Sequence, residues 1–311
     1  MDKHKLLIDT DPGVDDALAI LMAHAHADVV GLTIAAGNVG LTHTVANALK
    51  LVEVLGASTR VFAGCPDPLV HLHSIEDAAF VHGLDGFGDT GYERSTRAAE
   101  SEQAALAILR LSHEHAGTLV LVALAPLTNL AVALKLDPTL PQRVAKLVIM
   151  GGAVTGHGNT QRMAAEFNVG FDPEAAHVVF SSWPHFTLVD WEATMRHGIE
   201  FERMQGWLDS GHAHAQFFAA ISRTTREWTR ARSRPRWLVA DALAMAVALQ
   251  PDIVLRAEQR HVAIELAGTH TRGATIVDWE QRFGHAPNAT IVLDVDQQRF
   301  ETLVASALGF A

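Results

Sequence analysis

Short apolar runs alternate along this chain with longer stretches of helical periodicity, and that alternation narrows the possible folds more than any other feature. Lys5 to Ile8, Val29 to Ala35, Leu119 to Leu124, Lys146 to Met150 and Phe186 to Val189 have the length and composition of strands. Asp15 to Ala25, Thr42 to Leu55, Ser101 to Glu114, Leu127 to Lys135 and Pro173 to Ser181 carry the helical pattern between them. This succession predicts an α/β fold with a mainly parallel (mixed) central sheet flanked by helices. With 311 residues, 49% of them hydrophobic, and neither linker nor internal repeat, the chain reads as a single domain over 1–311. Ligands of open α/β sheets bind beyond the carboxyl ends of the strands. Asp9 to Asp16, Gly37-Asn38, Gly151 to Asn168 and Asp190 to Thr194 follow those ends and are expected to converge on one cleft. Residues 64–97 read as a loop-rich insertion, and 195–237 as helical with an arginine-rich end.

The first of these segments carries chemistry. Asp9, Asp11, Asp15 and Asp16 put four carboxylates within eight residues, around a Pro12-Gly13 turn. Like charges this close repel and raise one another's pKa unless a cation neutralises them. A turn with Asp caps on the next helix explains one or two of the four. The full set asks for a metal, and an oxygen-only donor set selects Ca²⁺ or Mg²⁺ over Zn²⁺.

Composition limits the partners. A formal net charge of −11 argues against nucleic acid or anionic lipid. The single cysteine, Cys65, excludes an intramolecular disulfide and reads as a small, buried residue in a reducing compartment. No apolar run spans a bilayer, and Met1 to Lys5 lead straight into the first strand, so the expectation is a cytoplasmic protein with no leader. The pairs His24/His26, His71/His73 and His212/His214 lack the spacing and cysteine partners of a zinc site. Gly151-Gly152 lacks the lysine of a phosphate loop. Trp183, Trp191 and Trp207 are most simply core or interface aromatics.

Further along, Asn38 follows a strand, Ala165-Glu166-Phe167-Asn168 follows Val148 to Gly152, and Asp241 opens an apolar helical run from Ala242 to Leu249. Together with Asp9-Thr10-Asp11-Pro12-Gly13-Val14-Asp15-Asp16, these segments closely resemble the inosine-uridine-preferring nucleoside hydrolase family. Further matches are Ala36-Gly37-Asn38, His82-Gly83, Pro126-Leu127-Thr128-Asn129, Met150 to Ala153, Asn159 and Asp172 to Ala176, in order over about residues 5 to 250.

The resemblance implies the nucleoside hydrolase fold with a Rossmann-like core, and hydrolysis of the N-glycosidic bond of ribonucleosides to ribose and base. It implies a tightly bound Ca²⁺ held by Asp11, Asp16, Asp241 and the backbone carbonyl of Leu124. Asp15, Asn38, Asn159, Glu166 and Asn168 are expected to hold the ribose, and Phe167 belongs to the same substrate-contacting stretch. Ca²⁺ takes roughly six to eight oxygens, leaving room for water and ribose hydroxyls. Asp11 is expected to be the general base for the attacking water, and attack passes through an oxocarbenium-like transition state. The resemblance also implies a homodimer or homotetramer.

One position departs from the pattern. Many members place a histidine just before the late metal aspartate, and purine-specific members a tryptophan; this chain has Ala240. Two substitutes for the missing acid are open. His82 is either an acid beside the base or a loop histidine contacting backbone. Arg223, Arg226, Arg230, Arg232, Arg234 and Arg236, interleaved with Trp228 and Trp237, form either a flap over the base or a solvated helix face paired with Glu227. Trp228 and Arg232 are the flap residues expected to touch substrate, and a basic flap also suits a phosphorylated substrate. Two other functions share features with this sequence: a Ca²⁺-dependent nucleoside- or ribose-binding protein without turnover, favoured by Ala240, and a haloacid-dehalogenase-type phosphatase, favoured by the Asp9-x-Asp11 spacing.

Overall fold

Alternation of side chains along the first strand sets the layers. Leu6 and Ile8 belong to the core on one face of the sheet and Leu7 to the core on the other, as the two-residue period of a strand requires. The computed structural model describes residues 5–70, 77–232 and 234–310. Its main sheet has eight strands, in the order β3 (Val61–Ala63), β2 (Asp28–Ile34), β1 (Lys5–Thr10), β4 (Leu119–Ala123), β5 (Val144–Met150), β6 (Phe186–Val189), Ala289–Val295 and Val254–Arg260. All neighbours are parallel except the last pair. The sheet is therefore mixed in the way expected, with an antiparallel edge.

From β1 the chain winds outward to β2 and β3, then returns to lay β4 against the other side of β1. Strand order reverses between β1 and β4, which is where open α/β sheets form their crevice. All five strand runs and all five helical runs read from the sequence occur, with ends displaced by a few residues. Asp9 and Thr10 prove to be the last residues of β1 rather than the start of a loop. Helix α1 (Val14–His26) packs on the helix Ala240–Leu249, and both are buried along nearly all their length. In the insertion at 64–97 the short helix Ala79–His82 interrupts the loops. Segment 195–237 folds into helices Phe201–Leu208, Ala213–Ile221 and Arg223–Ala231, closed by a ribbon of Ile199–Glu200 with Arg236–Trp237.

Candidate active site

The four aspartates of the opening motif separate into two roles. Asp9, fully buried, receives Thr33 Oγ1 at 2.7 Å and Asn129 Nδ2 at 2.9 Å on Oδ1, and its other oxygen has no protein partner. Burial pushes its pKa up to about 6. It ties β1 to β2 and to the start of helix Thr128–Leu136, and does not line the cavity.

Asp11, Asp15 and Asp16 lie where β1 turns into α1. Asp16 caps that helix, its Oδ2 accepting from Gly13 N at 3.0 Å and from Asn38 Nδ2 at 3.0 Å, while Thr10 Oγ1 and Asp11 N (3.3 Å) donate to Oδ1. Asp11 Oδ2 accepts from Asn38 N at 2.6 Å, and Asn38 Nδ2 also reaches the Asp11 carbonyl at 3.1 Å. Two glycines permit this crowding: a Cβ on Gly37 would sit 2.1 Å from Asp11 Oδ2, and one on Gly13 would sit 2.8 Å from His82 Nδ1. Asp241, in the first turn of Ala240–Leu249, completes the group.

Oxygens of Asp15, Asp16 and Asp241 approach within 4.8 Å of one another. Burial, then repulsion among the neighbouring carboxylates, drives the pKa values of Asp11 and Asp241 well above the usual carboxylate range. Asp16 rises for the same two reasons, and Asp15 is pushed up to about 6 by burial. Among the described residues no lysine or arginine pairs with any of the four; the one ion-pair contact is His82 Nε2 to Asp15 Oδ1 at 4.0 Å. Buried, mutually repelling carboxylates without a counter-charge fit a divalent cation taken up by oxygen donors. The closest carboxylate set includes Asp15, which sequence reading assigned to the ribose, whereas Asp11 is held slightly apart by Asn38. The Leu124 carbonyl, the expected backbone ligand, accepts from Asn168 Nδ2 at 2.7 Å.

The group opens into a cavity of about 480 Å³ lined by Asp15, Asn38, Leu124, Asn159, Glu166, Phe167, Asn168 and Asp241 together with His82, Ala240, Trp228 and Arg232. Every expected site residue except the deeper Asp11 and Asp16 thus faces one space. Glu166 is buried as the N-cap of the helix Phe167–Phe171 and accepts three backbone N–H bonds, from Gly152 at 2.8 Å, Asn168 at 2.9 Å and Val169 at 3.2 Å. Burial outweighs those bonds and lifts its pKa to about 7. His82 shows the backbone contact: its Nδ1 accepts from Val14 N at 3.1 Å. The ring proton therefore sits on Nε2, and burial lowers the pKa to about 4, so the ring is neutral at physiological pH.

The arginine-rich helix is a mixture of the two readings. Arg226 bonds Gln205 Oε1 at 3.0 Å, Arg230 lies over Phe201 at 4.8 Å and Arg236 pairs with Glu200 at 2.7 Å. The expected pairing with Glu227 is absent among the described residues. Trp228 and Arg232 turn to the cavity, the guanidinium 3.7 Å from the indole centroid, and Phe80 lies 5.8 Å from Trp228 on its other contact. Thr225 Oγ1 fastens this helix to Val81 O at 2.9 Å. Two expectations are corrected. Trp191 lines the cavity, whereas Trp183 and Trp207 are buried core as read, and Cys65 is only half-buried. Among the described residues the single candidate metal cluster is the aspartate one; His71/His73 lie outside the described residues.

A model of the inosine-uridine preferring nucleoside hydrolase family matches residues 6–302. The chain belongs to that family. This nucleoside hydrolase is 33% identical over 313 residues to the pyrimidine-specific ribonucleoside hydrolase RihA of Shigella flexneri serotype 5b, covering 98% of each chain. Among solved structures it is similar to the plant nucleoside hydrolase PpNRh1 (TM-score 0.92, 30% identity, 98% of this chain and 99% of that one). It is also similar to an inosine-guanosine nucleoside hydrolase (TM-score 0.91, 32% identity, 99% of each). The nucleoside hydrolase is thus an enzyme acting on ribonucleosides.

Proposed function

We propose that this nucleoside hydrolase works with Ca²⁺ held by Asp11, Asp16, Asp241 and the Leu124 carbonyl, Asp15 standing within reach of the same ion. The observation that carries this reading is the buried carboxylate group at the floor of the cavity, which has no lysine or arginine partner among the described residues. Calcium, when bound, supplies Lewis-acid activation of water and an anchor for ribose hydroxyls. Asp11 takes the proton of the attacking water; the Asn38 N–H on its Oδ2 fixes the carboxylate for that transfer. Asp15, Asn38, Asn159, Glu166 and Asn168 orient the ribose, with Phe167 against it, and their oxygens stabilise the positive charge that develops on the sugar. Trp228 and Arg232 cover the base. The lone cysteine supports a reducing, cytoplasmic setting, and among the described residues no helix is long and apolar enough to cross a membrane. The family resemblance supports a homodimer or homotetramer, which light scattering on the purified chain tests.

The deciding experiment is ribose release from a panel of natural nucleosides and from 4-nitrophenyl riboside, with and without chelator. Release abolished by chelator and restored by Ca²⁺ alone is the expected result. Release that survives complete chelation overturns the metal assignment. Nucleoside binding without release from either class of substrate means a binding protein.

A further inference from the structure

Arg234 lines the same cavity as Ala240 and has no place in the scheme above. Its guanidinium carbon lies 5.9 Å from the Trp191 ring centroid, and the residue is half-buried. Arg232 repeats the arrangement on Trp228. Asp15 and Asp241 face the same space, yet neither arginine forms an ion pair among the described residues. Arg236, in the same segment, does so with Glu200. A guanidinium offers donors only, in a planar fork, and stays charged at every relevant pH. Laid near an aromatic face with no carboxylate to complete it, the fork is fitted to a flat ligand edge that presents acceptors. Ala240, in the same lining, contributes no side-chain donor of its own.

We propose that Arg234 stabilises the departing base and thereby selects 6-oxopurine ribonucleosides over 6-aminopurine ones. The proposal rests on the hydrolase reading above. The water oxygen bonds to C1′ as the C1′–N9 bond breaks, and the electron pair of that bond passes into the purine. Negative charge collects at N7 and O6, the two adjacent acceptors that an arginine fork meets in bidentate fashion. One water proton remains on the new ribose hydroxyl; the other goes to Asp11 and on to solvent, and the purine takes a proton from solvent after release. A 6-aminopurine sets an amino donor beside N7, so one arm of the fork faces N–H with N–H.

The test compares calcium-loaded wild type, Arg234→Gln and Arg234→Lys on inosine, adenosine and 4-nitrophenyl riboside, whose leaving group needs no such help. Wild type is expected to prefer inosine to adenosine by at least about tenfold. Arg234→Gln should lose about 100-fold in kcat on inosine, with a far smaller loss on 4-nitrophenyl riboside. Arg234→Lys should regain part of the rate on inosine without the selectivity, since it keeps the charge and loses the fork. Equal losses on inosine and 4-nitrophenyl riboside assign Arg234 a structural role and overturn the proposal; so does an unchanged inosine rate, or a wild-type preference for adenosine. Cleavage by wild type of 4-nitrophenyl riboside or of uridine, run alongside, but of neither purine nucleoside overturns this proposal alone; release from none of the four overturns the hydrolase reading, and this proposal with it.

Discussion

Asn38 donates its backbone N–H to Asp11 Oδ2 at 2.6 Å while its side-chain amide reaches Asp16 Oδ2 at 3.0 Å, so one residue sets the spacing of two carboxylates. Asn38→Ala removes the side-chain bond and leaves Asp16 free to reorient. Hydrogen-bond partners of metal ligands typically govern affinity by roughly 10–100-fold. Calcium titration by calorimetry should show a loss of that size with the circular dichroism spectrum preserved; an undiminished affinity would show that Gly13 and Thr10 hold Asp16 without help.

Stability of the metal-free protein should depend on Glu166. Burial raises its folded pKa from 4.5 to about 7, so the folded state favours the protonated carboxyl. That contribution is fully present below pH 4.5 and is lost as pH rises through 7, a change on the order of 3 kcal/mol. Asp190, raised to about 6 by burial, acts in the same direction. Denaturant unfolding between pH 4.5 and 8 should therefore show falling stability, and Glu166→Gln should flatten the slope whatever its effect on the baseline. A variant as steep as wild type would contradict the assignment.

Ala240→His supplies an imidazole to the cavity from the first turn of its helix. A positioned general acid contributes roughly 10²–10⁴-fold, and even a poorly placed one should raise kcat on uridine by about tenfold. Steady-state rates on uridine and 4-nitrophenyl riboside decide: a gain confined to uridine marks acid assistance, and no gain on uridine shows that position 240 does not reach the leaving base.

Trp228 supports Arg232 and touches Phe80. Trp228→Ala should raise KM for natural nucleosides three- to tenfold, in keeping with about 0.5–1.5 kcal/mol for an aromatic pair, with kcat altered less. A fall in kcat at constant KM would place the residue on the chemical step instead.

The aspartate cluster and the β–α alternation were legible because each rests on local pattern: four carboxylates within eight residues, apolar runs of strand length. The edge strand Val254–Arg260 escaped because it is half polar and acquires its strand character only by pairing with Ala289–Val295. Trp191 escaped for a related reason. It opens the helix that follows β6, and nothing in its neighbours distinguishes an indole facing a cavity from one in the core.

The sequence by itself determined the chemistry on offer: clustered oxygen donors suited to a hard cation, and an alanine, Ala240, just before the late aspartate. Only the tertiary structure decided how those groups are shared out. Asp9, on β1, and Asp11, just past its end, have different fates because β2 and helix Thr128–Leu136 bond the first while Asn38, beyond β2, bonds the second beside Asp16. The same packing aims Arg234 at the cavity and Arg236 at Glu200. Residue type fixes what a side chain can donate or accept; burial and neighbours, which come from contacts distant in the chain, fix whether a substrate ever meets it.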